Sequence, residues 1–346
     1  PPRSTQSRSS AASDVYKRQI INRFYIRGDL QIKSPLIIGY GEDKNTDIDV
    51  IKDWQGNPFI PGTSLAGVLK NHLCSILPDN KDLVRELFGG EKDNSRISPV
   101  IFYDAVLKGD SSAILSIRDN VKINHDTRTA EDKEKFNFEI LKPGFVFDFR
   151  MEVIVREKDK GKFDEISDAM YYLISSLENG KVRIGSKTNR GFGKVELGNV
   201  RILSLDMAKA EDAEKWLNFS WDDKSFASLC LKKGKLNPNS KSKKITAEFS
   251  ISNSLIIRNY SSDPSASDSV HLKCADKSVV SGTSWAGVIR HTLIDIGKSL
   301  GKNEKFEEML NEMFGYVKEK KKKDHNRDSE DNRSSLPDQP LSLIHI

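Results

Sequence analysis

Ile60-Pro61-Gly62-Thr63-Ser64-Leu65-Ala66-Gly67-Val68-Leu69-Lys70-Asn71-His72-Leu73 occurs a second time, as Val280-Ser281-Gly282-Thr283-Ser284-Trp285-Ala286-Gly287-Val288-Ile289-Arg290-His291-Thr292-Leu293. Seven of the fourteen pairs are identical at an offset of 220, and Ile/Val, Leu/Ile and Lys/Arg are conservative. Internal repetition constrains the fold before any other signal. Each copy reads as a turn feeding a helix. Thr63 and Thr283 are the expected N-caps, since a threonine oxygen can accept from an orphan helix N–H. Leu65, Val68, Leu69, Leu73, Ile76 and Leu77 then form a helical apolar stripe, and Trp285, Val288, Ile289, Leu293 and Ile296 repeat it. A glycine inside the helix, Gly67 or Gly287, costs about 1 kcal/mol relative to alanine. Its presence in both copies points to another backbone passing close. A helix start with free N–H groups also suits a phosphate.

The repetition continues on both sides. Lys33-Ser34-Pro35-Leu36-Ile37-Ile38 parallels Ser252-Asn253-Ser254-Leu255-Ile256-Ile257. Asp47-Ile48-Asp49-Val50-Ile51-Lys52 parallels Asp268-Ser269-Val270-His271-Leu272-Lys273, and Glu86-Leu87-Phe88-Gly89 parallels Glu312-Met313-Phe314-Gly315. Order and spacing hold, so a whole unit is duplicated.

At 346 residues, two units can each bury a core. A net charge of +5 permits a nucleic-acid partner without arguing for one; a basic face would be needed. Cys74, Cys230 and Cys274 are odd in number and far apart, which fits a reducing cytoplasm and no disulfide framework. No run of eighteen apolar residues exists to span a membrane. Residues 1–19 and 337–346 resemble translated adapter sequence, so both are expected to be non-native tails.

The chain then reads in order. Ile20 to Lys33 is a strand, Thr63 to about Leu77 a helix, Asp82 to Phe88 a short helix and Ile97 to Leu107 a strand. Residues 109–142 form a polar insertion with little periodicity. Gly144 to Arg156 is the clearest strand, and Asp164 to Glu178 a helix. A glycine-rich loop, Gly185-Ser186-Lys187-Thr188-Asn189-Arg190-Gly191-Phe192-Gly193, runs into a last strand, Lys194 to Leu203. Strand, helix, strand, strand, helix, strand is the split βαβ, ferredoxin-like pattern of an α+β domain, here over residues 20–204. Asp206 to Phe226 reads as helical, with Trp216 and Trp221 on it, and a linker follows to residue 244. A second unit begins with a strand at Ile245 and is expected to be incomplete by residue 336.

Pro61-Gly62-Thr63-Ser64-Leu65-Ala66-Gly67, Leu87-Phe88-Gly89, Arg128-Thr129 and the loop Gly185 to Gly193 together resemble the repeat-associated mysterious protein (RAMP) superfamily. The nearer resemblance is to backbone subunits of type III CRISPR effectors, and two units in one chain look like their tandem members. The resemblance implies an RRM-like fold with a thumb inserted at about 109–142. It implies binding of a CRISPR guide RNA, pairing with target RNA and assembly with other effector subunits. It also implies target cutting by an aspartate in the loop after the first strand, here Asp47 and Asp268, with Mg2+ as the family's metal. Asp49 stands where the family often has proline, Ser281 replaces the motif's proline, and the second unit lacks a thumb and a glycine-rich loop.

The residues carry this chemistry in their own right. A carboxylate beside an unstacked nucleotide can accept the 2′-OH proton or hold a divalent cation. A single acid in a Gly/Asn/Asp loop is ordinarily a solvated turn residue; recurrence in both units sets Asp47 and Asp268 apart. Asp43, Asp49 and His125 compete for the role. Lys187, Asn189 and Arg190 offer phosphate donors among glycines, although a tight turn before an edge strand accounts for the glycines alone. The loop is no P-loop. Arg190 to Leu197 echoes the RNP1 motif, but Lys194 and Leu197 stand where stacking aromatics belong, so an RRM stacking face is not expected. Ser64, Lys70, Ser284 and Arg290 are candidate guide-phosphate contacts at the helix starts, with capping as the plain alternative for the serines. Lys122 and Arg128 fit a thumb touching RNA. No His/Cys/Asp cluster predicts a stored metal. A non-catalytic RNA-binding scaffold is the main alternative, and a small-molecule enzyme on a ferredoxin-like fold a third.

Overall fold

A computed structural model describes residues 18–39, 48–89, 97–110, 114–124, 127, 129–228, 234–236, 238, 245–259, 269–274, 277–301 and 304–315. The architecture is mixed α/β around an antiparallel sheet.

Strand β1 (Ile20–Ile32) sits at the sheet's centre. Its alternation is plain: Ile26, Leu30 and Ile32 are buried, while Arg27, Asp29 and Gln31 take the other face. It pairs antiparallel with β7 (Val146–Arg156) on one side and β8 (Val195–Asp206) on the other. Beyond β7 lie β3 (Val100–Phe102) and β4 (Ala105–Lys108), and β4 carries the short β2 (Phe59–Ile60). The strand expected over Ile97 to Leu107 is thus two pieces. The break at Tyr103–Asp104 has a cause: an Asp104 oxygen accepts from the Gly62 N–H at 2.7 Å.

That bond anchors helix α1 (Gly62–Ile76). Its N-cap is Pro61, and in the second copy Ser281, whose hydroxyl accepts from Ser284 N–H at 3.1 Å. Thr63 and Thr283 lie inside the first turn, so the expected caps move two residues upstream. The close backbone approach belongs to the first helical glycine. A Cβ on Gly62 would stand 2.3 Å from the Phe102 carbonyl oxygen, whereas one on Gly67 or Gly287 would meet nothing within 4 Å.

Leu65, Leu69 and Leu73 of α1 are buried, with Leu83, Val84 and Leu87 of α2 (Lys81–Phe88). Ile166, Met170, Leu173, Ile174 and Leu177 of α3 (Phe163–Glu178) join them. All three helices pack against Phe147, Phe149, Met151, Val195 and Leu197 in one core. Each large apolar side chain so buried contributes roughly 1.5–3 kcal/mol.

The insertion at 109–142 is a hairpin rather than a loop: β5 (Leu115–Ile123) pairs antiparallel with β6 (Ala130–Leu141). Phe136, Phe138 and Ile140 supply the period of two, which the polar composition obscures. The expected helix over Asp206 to Phe226 is only α4 (Ala210–Leu217). Residues 219–226 instead form an aromatic strap. Phe219 stacks on Tyr25 at 4.0 Å, Trp221 meets Tyr25 edge-on at 5.6 Å, and β9 (Ala227–Ser228) extends the sheet beside β8. The linker is pinned in part, since the buried Asp168 carboxylate accepts from Gly234 and Leu236 N–H at 2.8 and 2.5 Å.

The second copy forms the same helix pair, α5 (Gly282–Ser299) and α6 (Glu304–Phe314). Short ladders precede it: β10 (Arg258–Asn259) with β11 (Val270–His271), and β12 (Lys273–Cys274) with β13 (Lys277–Ser278). The strand expected at Ile245 does not form. Ile26, Leu30 and Ile32 of β1 are 1%, 0% and 0% exposed; their counterparts Ile245, Phe249 and Ile251 are 94%, 72% and 68% exposed. A strand needs neighbours for its backbone and a core for its face, and β1 has both through β7 and β8. Among the described residues no strand pairs with 245–256; Phe249 meets the Trp285 ring at 4.9 Å, and only Ile257, at the end, bonds to backbone, accepting from Leu272 N–H at 2.8 Å. Such an apolar strip favours self-association. Replacing Ile245 and Ile251 together by lysine is expected to shift the chain toward monomer in sedimentation velocity without lowering its melting temperature; identical sedimentation at every concentration would contradict this.

Candidate nucleic-acid interface

The glycine-rich loop is held against the segment that follows β1. Ser186 N–H donates to the Ile37 carbonyl at 2.9 Å and Gly193 N–H to the Pro35 carbonyl at 2.8 Å. Gly185 has φ +84°, and a Cβ there would stand 2.1 Å from the Ile37 oxygen, so no other residue fits. Lys187 takes φ 55°, a left-handed conformation without a glycine's freedom. Such a residue costs on the order of 1–3 kcal/mol and persists only where its surroundings hold it. Here they are aromatic: the ammonium lies 4.7 Å from the Phe136 ring centre and 5.0 Å from that of Phe138. Arg118 of β5 sits 5.2 Å over Phe192 in the same way. Ile37, Phe138, Ile140 and Phe192 form a small core beneath, which fastens the hairpin to the loop.

The second copy completes this region. The start of α5 packs on the turn Thr188–Arg190, and a Cβ on Gly282 would fall 2.1 Å from the Arg190 carbonyl oxygen. Arg190 and Arg290 lie within electrostatic reach of each other across the junction. Burial pushes the Lys187 ammonium down, and neighbouring Arg190 pushes it further. Arg190 is likewise lowered by burial first and by Arg290 second. Asn189 lies in the same turn, and Ser284 in the first turn of α5, with its hydroxyl 2.8 Å from that of Ser281. Three half-buried cations side by side repel one another unless an anion joins them.

Lys70 and Arg290 share a further duty. Lys70 Nζ donates to the Gly89 carbonyl at 3.5 Å, and Arg290 donates to the Gly315 carbonyl at 3.2 Å and to Asn311 Oδ1 at 3.0 Å. Each ties its helix to the glycine that ends the next one. Lys70 and Ser64, on α1, lie on a different element from the junction. Asp47, Asp268, Arg128, Asp43 and His125 lie outside the described residues, as does the Lys122 side chain. The residue after Asp47 is placed: the Ile48 carbonyl accepts from Glu139 N–H at 3.0 Å, Val50 N–H donates to the Glu139 carboxylate at 3.1 Å, and Ile48 packs on the Phe138 core. Among the described residues no group of three His, Cys, Asp or Glu side chains could hold a metal ion.

Sequence reasoning missed Arg118 and the three rings under the cations. The alternation Phe136–Phe138–Ile140 was the available signal.

Among the described residues no helix is long and apolar enough to cross a membrane. No curated protein matches the chain. Of solved structures, a chain of the type III-B Cmr-beta complex bound to cognate target RNA aligns at 13% identity and a TM-score of 0.41, covering 50% of this chain and 96% of its own. A chain of the apo Cmr-beta complex aligns at 14% identity and 0.41, covering 53% and 97%. Residues 29–196 match the family model described as RAMPs, RAMP superfamily. That segment is just under half of the chain, and through it the chain is similar to the RAMP superfamily.

Proposed function

We propose that the chain is a tandem backbone subunit of a type III CRISPR effector, which holds guide RNA in the cytoplasm beside other effector subunits and cuts the paired target RNA. The observation that carries RNA binding is the junction of Lys187, Arg190 and Arg290, where burial lowers Lys187 and Arg190, and the next cation along lowers each of the two further. A phosphodiester strand passing there relieves their repulsion. Asn189 and Ser284 add neutral donors. Gly67, exposed, and Gly287, half-buried, both have open space where a Cβ would go, which leaves room for an RNA backbone.

The strand order β8–β1–β7–β4, all antiparallel, with α1 and α3 sharing one core, supports reading the first unit as ferredoxin-like. The β5–β6 hairpin is then the thumb, and the helix pair α5–α6 belongs to a second unit. In this reading Asp47 and Asp268 stand beside a splayed nucleotide of the target. The carboxylate accepts the proton of the 2′-OH; the 2′-oxygen bonds to the adjacent phosphorus; the P–O5′ bond breaks, and the leaving oxygen takes a proton from water. Products are a 2′,3′-cyclic phosphate and a 5′-OH. The need for a 2′-OH confines cutting to RNA. Mg2+ enters only as the family's metal, and no step above runs through it.

Filter binding of labelled guide RNA tests the junction. Each charge-assisted phosphate contact contributes about 1.5–3 kcal/mol. Arg190→Gln is therefore expected to weaken binding roughly tenfold. Arg190→Glu with Arg290→Glu is expected to weaken it roughly 100-fold or more, with a shallower salt dependence. Unchanged affinity in both variants at matched melting temperatures would remove the reading. A non-catalytic scaffold would bind equally and leave the target intact.

A further inference from the structure

The sheet's open face carries three arginines abreast. Arg27 of β1 lies directly opposite Arg150 of β7 and directly opposite Arg201 of β8. Like charges opposite one another across antiparallel strands destabilise a sheet. One row along, Asp29 lies opposite Asp148. Lys108 bridges those two acids at 2.5 and 3.4 Å, Asn199 donates to Asp29 at 2.6 Å, and Arg150 pairs with Asp148. The acids are thus already engaged by Lys108, Asn199 and Arg150. Arg27 reaches the exposed Asp222, at 3.6 Å, the Trp221 carbonyl and the Phe226 ring, at 4.6 Å from its centre. Arg201 makes no ion pair among the described residues.

The aromatic strap walls the space above this row. Trp221 and Asp222 face the arginines across a cleft of about 310 Å3. That is the lower end of the range for small-molecule sites, about 300–1,000 Å3. Four cations, Arg27, Arg150, Arg201 and Lys108, meet three carboxylates, so the cleft keeps an unbalanced positive charge. Its one aromatic wall, the Trp221 indole, is only half-buried.

We propose that this cleft binds a nucleotide, with its phosphate on the Arg27–Arg150–Arg201 row and its base toward Trp221. Asp222, next to Trp221 in the cleft wall, can accept from an exocyclic amine. The site shares no residue with the junction of Lys187, Arg190 and Arg290 and does not depend on it. The phosphate can come from a free mononucleotide or from an RNA strand.

Isothermal titration of the full chain with AMP, adenosine and hexa-adenylate tests this, with Trp fluorescence as a second readout. AMP is expected to bind at least roughly tenfold more tightly than adenosine, the weight of one charge-assisted phosphate contact. Arg201→Gln should lose that preference at an unchanged melting temperature, and Arg85→Gln, on α2 far from the cleft, should keep it. Competition of AMP with hexa-adenylate in wild type but not in Arg201→Gln assigns the site to RNA; absence of competition, with AMP binding retained, assigns it to free nucleotide. Equal affinity for AMP and adenosine, no AMP binding at millimolar concentration, or an Arg201→Gln chain that binds AMP like wild type would overturn the proposal.

Discussion

An Asp47→Ala, Asp268→Ala double variant is expected to lose target-RNA cutting while guide-RNA affinity stays within about twofold, the scale of a surface substitution. A positioned base contributes roughly 100- to 10,000-fold to a proton-transfer step. Removing both carboxylates therefore leaves a rate indistinguishable from uncatalysed RNA cleavage over an assay. The single variants are more informative still. Each unit would cut at its own splayed nucleotide, so Asp47→Ala should delete one product length and Asp268→Ala the other. End-labelled target RNA resolves the two. The placement of Ile48 makes the first unit the stronger case. Its carbonyl is bonded to β6 and its side chain sits on the Phe138 core, under the ring that carries Lys187. The loop's exit is therefore fixed beside the cationic junction. Wild-type cutting by the double variant would refute the assignment.

Glu152→Ala is expected to lower stability by about 3–5 kcal/mol, the usual consequence of removing one partner from a buried ion pair. Glu152 is buried in β7 with Arg23 as its ion-pair partner, and Tyr103 donates to its second oxygen at 3.1 Å. Arg23 Nε is buried and already lacks a hydrogen-bond partner. Without Glu152 its charge keeps only the face of the Trp216 ring, 4.7 Å away. At roughly 2–4 °C per kcal/mol for a unit of this size, the melting temperature should fall by about 6–20 °C. Calorimetry of Glu152→Ala beside Glu152→Gln, which keeps an acceptor for Tyr103, separates charge from hydrogen bonding; a shift under about 2 °C in Glu152→Ala would show the pair to be unimportant. The same site has a pH signature. Burial, and then the Glu152 charge, push the Tyr103 phenol from 10.0 up to about 12. The folded state thus holds this proton more tightly than the unfolded chain does. Its contribution to stability is complete below pH 10 and disappears as pH rises toward 12. In Glu152→Gln the spectrophotometric titration of Tyr103 should move back toward 10.

The amino-acid sequence by itself determined the duplication, the helices α1, α2 and α3, and the three long strands. These are local matters. A stripe of Leu65, Leu69 and Leu73 makes a helix face wherever it lands, and the alternation around Phe147 and Phe149 makes a strand. The glycine-rich loop was legible too, because its glycines are needed by its own backbone. Tertiary structure alone decided the rest. Asp104 interrupts a strand because it caps a helix that starts 42 residues earlier. Lys187 rests over Phe136 and Phe138 because a distant hairpin folds down on its loop. Arg190 meets Arg290 only where the second copy docks on the first. Arg27, Arg150 and Arg201 come abreast through strand register, which depends on pairing across the whole chain. The same apolar pattern is core in Ile26, Leu30 and Ile32 and surface in Ile245, Phe249 and Ile251. Periodicity states which side of a strand wants burial; only neighbouring strands can bury it.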